Sequence, residues 1–217
     1  MGGILFVCEG NLCRSPFAEL VSKAHLDAVT EGRVDVSSAG IRAEAGSGIP
    51  EPMAALIRDH GADPSSHRAR QLDAGMLADA SLVLVAERAQ RSALVLLHPP
   101  ALHYSFTIRH VERALLPLIA ASGDPDALFD VADPEPVRRL VEVLRRGLDH
   151  VLVDRAVDDD VIDPYGRSTE TYQQAVVQMR PALDLLVRSF GADGLPELTA
   201  ARSRSRFALG RRRHRSR

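Results

Sequence analysis

The sequence contains very little cysteine, tryptophan or lysine, and these shortages limit what the protein can be. Its 217 residues include no tryptophan and only two cysteines, Cys8 and Cys13. Two cysteines cannot build the disulfide framework of a small secreted domain, so we expect their role to be chemical rather than structural. Lys23 is the only lysine among the 27 basic residues, a preference for arginine that is typical of compositional bias in the coding genome.

Long apolar runs are also missing. No run approaches the roughly 20 residues that a membrane-spanning helix requires. The N-terminus has no basic segment and no cleavage site ahead of its first apolar run, so we predict no secretory signal and a cytoplasmic location. The composition is that of a globular protein with a full core.

Charge is nearly balanced over the whole chain but is unevenly distributed. Residues 201–217 contain eight arginines and no acid, and removing these eight from the 27 basic residues leaves 19 against 29 acidic residues. We predict that 193–217 is an arginine-rich, disordered tail. Such a tail could bind nucleic acid or an acidic membrane. It has no aromatic residue except Phe207, so we predict no specific nucleic-acid partner.

Short apolar runs alternate with segments of helical periodicity, which is typical of an α/β fold with a parallel sheet. We therefore expect residues 1–192 to form a three-layer fold with a four-stranded parallel sheet flanked by helices. The runs that we interpret as strands are 4–7, 34–40, 81–86 and 102–106.

Residues 8–15, Cys-Glu-Gly-Asn-Leu-Cys-Arg-Ser, lie between the first strand and a helical pattern. The predicted order is therefore strand, tight loop and helix, with Ser15 as the N-cap and Pro16 as the first helical residue. A helix N-terminus offers unpaired N–H groups and the positive end of the helix dipole, and anions bind there. This arrangement indicates a phosphate-sized pocket with Cys8 at its floor.

The residue types in this loop suit nucleophilic catalysis on a phosphate. The thiolate is the nucleophilic form of Cys8, and it would be favoured by the loop amides, by the helix dipole and by Arg14. Arg14 offers a planar fork that matches two phosphate oxygens, and the hydroxyl of Ser15 can donate to the sulfur. Gly10 permits close approach of a backbone amide, and Asn11 tolerates left-handed backbone angles.

Phosphoryl transfer also needs an acid that protonates the leaving oxygen. Asp163 is our candidate, because Pro164 restricts the backbone that holds its carboxyl group. The run 158–160 offers three alternative aspartates, although a run of acids is usually a solvated loop. His67 could act as a base or could be structural, and the remaining histidines show no metal-ligand spacing.

Residues 8–16 resemble the signature loop of the low-molecular-weight protein tyrosine phosphatases. Ser38-Ala39-Gly40, the His-x-x-Arg of 67–70 and Asp163-Pro164-Tyr165 resemble further segments of that family, in the same order, so that the resemblance spans residues 3 to about 190. It implies that Cys8 attacks phosphorus and forms a cysteinyl-phosphate. Asp163 would first protonate the leaving oxygen and then activate water, while Arg14 and the loop amides stabilise the equatorial oxygens.

The resemblance also implies the remaining site residues and partners. It predicts that substrate is bound by Glu9, Gly10, Asn11, Leu12, Cys13, Ser15 and Tyr165, with Ser38 and His67 supporting the loop. It implies no cofactor and no metal, and a phosphotyrosine protein as partner, with a tyrosine kinase as one candidate. Cys13 has two open roles, as loop packing or as the partner of Cys8 in a reversible disulfide.

Several features depart from the family pattern. Glu9 places a carboxylate at the pocket mouth. No aromatic residue follows soon after Ile41, so we expect Tyr165 to form the aromatic wall of the pocket. The stretch before Asp163 is long, and we predict an extra helical insertion around 121–160.

Two other functions fit the same loop. Arsenate reduction would need an external thiol, because the chain has no cysteine beyond the loop. A phosphate-binding module without turnover is the second alternative, and Glu9 and the altered pocket side favour it.

Overall fold

The structure is a computed structural model, and it describes residues 2–122, 133–148 and 159–195. The predicted tail therefore lies almost entirely outside the described residues, as do parts of the predicted insertion. The strands are β1 (Gly2–Cys8), β2 (Val34–Gly40), β3 (Leu82–Val85) and β4 (Ser105–Thr107). The helices are α1 (Arg14–Thr30), α2 (Glu51–Asp59), α3 (Ala74–Asp79), α4 (Arg88–Leu97), α5 (Ile108–Ser122), α6 (Pro136–Leu148) and α7 (Thr169–Arg188), with a 3₁₀ helix at Pro99–His103.

The four strands form one parallel sheet in the order β2-β1-β3-β4, which confirms the predicted fold class. β1 lies in the centre, and its register with β2 runs from Gly2 opposite Val34 to Cys8 opposite Gly40. A central strand that is buried on both faces carries a continuous apolar run, as β1 does. The carboxyl end of β1, where Cys8 lies, is the edge at which ligands bind in open α/β sheets.

Alternating side chains of β1 divide the core into two layers. Ile4 and Phe6 pack against α1, α2, α5, α6 and α7 on one face of the sheet. Leu5 and Val7 pack against α3 and α4 on the other face. Because helices cover both faces of the sheet, the fold has three layers.

Two local predictions were wrong. α1 begins at Arg14 with Cys13 in the N-cap position, so Ser15 lies inside the first turn and does not cap the helix. The fourth strand begins at Ser105 rather than at residue 102, because Pro99 and Pro100 start a 3₁₀ helix that continues to His103. The φ angle that proline fixes suits the start of a 3₁₀ helix, and the helix then includes residues 102 and 103 of the predicted strand.

Helix α6 lies within the stretch where the extra helical segment was predicted, and it packs against α5. Within 2–122, 133–148 and 159–195, no helix is both long enough and apolar enough to cross a membrane.

Candidate functional site

The loop after β1 is held in place by the segment that follows β2. Three backbone N–H groups of that segment donate to three successive carbonyls of the loop, from Ile41 to Cys8 at 3.0 Å, from Arg42 to Glu9 at 3.0 Å and from Glu44 to Gly10 at 3.2 Å. The approach is close enough that a Cβ on Gly40 would lie 2.6 Å from the Glu9 carbonyl oxygen. A larger residue than glycine would clash here, because the nearest atoms belong to the loop backbone and cannot move without moving the loop.

Asn11 is the centre of the hydrogen-bond network behind the loop. Its backbone is left-handed, with φ of 55°, and its side chain is fully buried. The amide nitrogen donates to Ser15 Oγ at 3.0 Å and to Ser38 Oγ at 2.7 Å, while the amide oxygen accepts from the Arg70 N–H at 2.9 Å. His67 Nε2 lies 2.9 Å from the Asn11 carbonyl oxygen. The side chains of Asn11, Ser15, Ser38 and His67 therefore support the loop from behind.

Glu19 completes this network, although nothing in the sequence marks it. Its carboxylate accepts a hydrogen bond from Ser38 Oγ and lies 3.8 Å from His67 Nδ1. Burial raises the pKa of Glu19, and the Ser38 hydroxyl and His67 oppose that shift. The Glu19 side chain is 17% exposed and does not line the pocket, so its carboxylate contacts Ser38 and His67 rather than the pocket itself.

Cys8 and Cys13 are both free thiols, but they lie in different surroundings. Cys8 Sγ is 3.0 Å from Ser15 Oγ and faces the pocket. Burial raises the pKa of Cys13 to about 12, with Cys8 adding to the shift and a hydrogen bond to Tyr172 opposing it. A pKa this high keeps the Cys13 thiol protonated at neutral pH.

Arg14 is buried, with 1% of its surface exposed, and its guanidinium contacts three residues from two other segments of the chain. Nη1 contacts the carboxylate of Glu87 and donates to the Val161 carbonyl oxygen at 2.9 Å. Nη2 lies 3.3 Å from Asp163 Oδ2. Glu87 was not singled out from the sequence. Two features of the sequence could have indicated it. Glu87 lies two residues after β3, and it has the Glu-x-x-Gln spacing to Gln90, whose side chain accepts from the Glu87 N–H at 3.0 Å.

These groups surround a pocket of about 290 Å³ at the carboxyl edge of the sheet. Its lining joins the predicted loop residues to Asp163 and to two residues that sequence reasoning missed, Arg42 and Glu44. The lining residues are Cys8, Glu9, Gly10, Leu12, Cys13, Arg14, Arg42, Glu44, Asp163 and Tyr165. Asn11 and Ser15, which we predicted among the binding residues, are not in the lining and have their side chains behind the loop.

The other aspartates near Asp163 have different partners. Asp159 pairs with Arg113, and Asp160 accepts a hydrogen bond from the Arg88 N–H at 2.8 Å. Asp158 lies outside the described residues. Among the described aspartates of this segment, Asp163 is the one that lines the pocket.

The pocket mouth carries charged side chains and one aromatic ring. Glu9 forms an ion pair with Arg42 across the mouth. Tyr165 is half exposed and donates from Oη to Glu44 Oε2 at 3.4 Å, and the nearby Glu44 carboxylate raises the pKa of Tyr165. Within the described residues, Tyr165 is the aromatic residue in the lining, and no group of three histidine, cysteine or acidic side chains could hold a metal ion.

Comparison with known proteins gives consistent matches. Residues 3–114 match the family model described as low molecular weight phosphotyrosine protein phosphatase. A probable low molecular weight protein-tyrosine-phosphatase, EpsP, from Ralstonia nicotianae is 32% identical over 151 residues, which cover 67% of this chain and 90% of the relative. A protein-arginine-phosphatase from Geobacillus stearothermophilus is 31% identical over 157 residues, covering 71% and 93% of the two chains.

The fold comparison agrees with the sequence matches. The crystal structure of a low molecular weight protein tyrosine phosphatase from T. tengcongensis superposes with a TM-score of 0.60 at 25% identity. The superposition covers 87% of this chain and 99% of that protein.

Proposed function

Because this chain belongs to the low molecular weight phosphotyrosine protein phosphatase family of hydrolases, we propose that it hydrolyses protein phosphotyrosine, or a related aryl phosphate, through a cysteinyl-phosphate. The observation that carries the proposal is the convergence of Cys8, Arg14 and Asp163 on one pocket. A thiol, a phosphate-binding guanidinium and a carboxyl group are the three groups that this reaction requires.

In the first step, Cys8 Sγ attacks phosphorus as the thiolate. The S–P bond forms and the P–O bond to the phenol breaks, while Asp163 gives its proton to the departing oxygen. Ser15 Oγ, at 3.0 Å from the sulfur, donates to the thiolate and keeps it oriented toward the pocket. Arg14 and the N–H groups at the start of α1 face the equatorial oxygens, where negative charge develops.

In the second step, water attacks the cysteinyl-phosphate. Asp163, now a carboxylate, accepts a proton from the water as the new P–O bond forms and the S–P bond breaks. This returns the thiolate of Cys8, the protonated Asp163 and inorganic phosphate. Arg14 serves both steps without moving far, because Glu87 and the Val161 carbonyl hold its Nη1 atom.

Replacement of the nucleophile tests the proposal. Cys8→Ser should reduce hydrolysis of an aryl phosphate by about 10³-fold or more, since a serine hydroxyl is a far weaker nucleophile here. The variant should still bind phosphate, because Arg14 and the loop remain. Acid-quenched wild-type enzyme should carry one phosphoryl group on Cys8 by mass spectrometry. Turnover that survives in Cys8→Ser would overturn the mechanism.

Phosphoarginine in proteins is a second candidate substrate, and two carboxylates at the pocket mouth favour it, although one of them, Glu9, is paired with Arg42. Glu9 and Glu44 line the pocket, and a guanidinium binds carboxylates in pairs of hydrogen bonds. The similarity to an arginine phosphatase supports the same possibility. Two peptides of one sequence, carrying phosphotyrosine or phosphoarginine, distinguish the candidates by their kcat/KM values. Glu44→Gln should selectively impair the phosphoarginine peptide if arginine is the substrate.

A further inference from the structure

The segment 159–163, which leads into Asp163, is anchored almost residue by residue. Its partners are the residue that follows β3, the first residue of α4 and a residue in the middle of α7. The contacts join Val161 N to Ala86 O at 2.8 Å, Arg88 N to Asp160 Oδ1 at 2.8 Å and Ile162 N to Gln178 Oε1 at 2.8 Å. Asp163 itself has a side chain that is 46% exposed, so its position depends on this anchored backbone.

The first anchor of the segment is a buried ion pair. Asp159 is only 7% exposed, and its carboxylate contacts the guanidinium of Arg113 on α5. A carboxylate in this setting needs its partner, because burial without compensation is strongly unfavourable. The pair therefore determines where the segment starts relative to α5.

A line of polar contacts joins this ion pair to α6. Arg113 Nη2 lies 3.5 Å from His110 Nδ1, and His110 Nε2 lies 3.5 Å from the carbonyl oxygen of Leu144 on α6. The His110 ring is buried and stacks on Phe106 with a centroid distance of 5.3 Å. Burial lowers the pKa of His110, which agrees with a neutral imidazole that accepts at Nδ1 and donates from Nε2.

We propose that Arg113 and Asp159 are positioning residues for proton transfer by Asp163, and that α6 supports them through His110. The inference rests on the proposed function, since it assumes that Asp163 is the general acid. A general acid must lie within hydrogen-bond distance of the oxygen that it protonates, and an error of about 1 Å can cost about 100-fold in rate. Without the ion pair, the start of segment 159–163 would no longer be held against α5, and the carboxyl group of Asp163 would be displaced.

The dependence of kcat/KM on the leaving group distinguishes a positioning role from a purely structural one. Phenyl phosphate needs a proton on its departing oxygen, whereas 2,4-dinitrophenyl phosphate releases a stable phenolate. Asp159→Asn and Arg113→Met should each lower kcat/KM for phenyl phosphate about tenfold or more, and for the dinitrophenyl ester less than about threefold. Inhibition by inorganic phosphate should stay unchanged, because the loop is not altered.

Two reference variants and the wild type make the outcomes distinguishable. Asp163→Asn defines the leaving-group response when the acid itself is lost, and Glu142→Gln, an exposed carboxylate on α6 paired with Arg139, should behave as wild type. If wild type hydrolyses neither ester, the proposed function fails. If Asp163→Asn is selective and the Asp159 and Arg113 variants impair both esters equally or neither, only the present inference is overturned.

A double variant covers the case in which a single one does not fold. Arg113→Met combined with Asp159→Asn leaves no unpaired buried charge, so it should fold even where each single change does not. A selective loss on phenyl phosphate in the double variant supports the positioning role. An equal loss on both esters, or no loss, overturns it.

Discussion

Arg14 Nη2 lies 3.3 Å from Asp163 Oδ2, so the proposed phosphate-binding group and the proposed general acid are in direct contact. Arg14 is buried while Asp163 is about half exposed, which places the guanidinium beneath and the carboxyl group at the pocket edge. A phosphate group that binds Arg14 would compete with Asp163 for Nη2. Binding would then free the carboxyl group of Asp163 to face the leaving oxygen.

Glu87→Gln tests how strongly the orientation of Arg14 matters. The carboxylate of Glu87 contacts Nη1, so its loss should let the guanidinium rotate away from the geometry that matches two phosphate oxygens. We expect kcat/KM for an aryl phosphate to fall about 10- to 100-fold by steady-state kinetics. Glu51→Gln, at an exposed ion pair with Arg58, is the matched control and should be neutral. Equal activity of both variants would contradict the orienting role of Glu87.

Gly40→Ala should displace the loop that contains Cys8. The added Cβ would lie 2.6 Å from the Glu9 carbonyl oxygen and 2.8 Å from the Asn11 nitrogen, and neither backbone atom can move without moving the loop. We expect a loss of about 1–3 kcal/mol in the free energy of unfolding and about 100-fold in kcat/KM. At Gly48 no atom lies within 4 Å of such a Cβ, so Gly48→Ala should leave both quantities nearly unchanged. Normal activity in Gly40→Ala would contradict the close approach.

Cys13 should resist alkylation in the folded protein. Because its pKa is raised to about 12, roughly one molecule in 10⁴ carries the thiolate at pH 8, and the thiolate is the form that reacts. In the Cys8→Ser background the contribution of Cys8 is removed but burial, the largest cause of the shift, remains. Iodoacetamide at pH 8 should therefore leave Cys13 unmodified, as measured by mass spectrometry, while the urea-unfolded chain reacts. Rapid labelling of the folded variant would contradict this assignment. If it is correct, any disulfide between the two cysteines must begin from the Cys8 thiolate.

His60 should make the protein less stable in acid. Its ring is fully buried against Phe17, and burial lowers its pKa below that of an unfolded histidine. Its contribution to stability is therefore complete above the unfolded pKa of about 6.5 and is lost as pH falls through the folded value. Measured by urea unfolding, the decrease in the free energy of unfolding from pH 7.5 to pH 5.0 should be smaller for His60→Met than for wild type. The exposed His103→Gln should match wild type, and an equal drop in all three would contradict the prediction.

Several features of the site were predictable because they depend on near neighbours in the chain. The order of strand, loop and helix around Cys8 follows from an apolar run, small turn residues and helical periodicity, and Asn11 adopts the left-handed backbone that its residue type tolerates. Proline after Asp163 marked the candidate acid in the same way. The errors at Ser15 and at the start of β4 were also local, where two short-range preferences competed.

The sequence by itself determined the α/β architecture, the position of the loop at the end of β1 and the residue types that phosphate chemistry needs. Only the tertiary structure decided that Glu87 holds Arg14, that Glu19 holds Ser38, and that Arg113 holds Asp159. Each of these pairs joins elements that are distant in the chain. Backbone conformation responds to residues a few positions away, whereas a pair of charges forms only where packed helices and strands bring its members together.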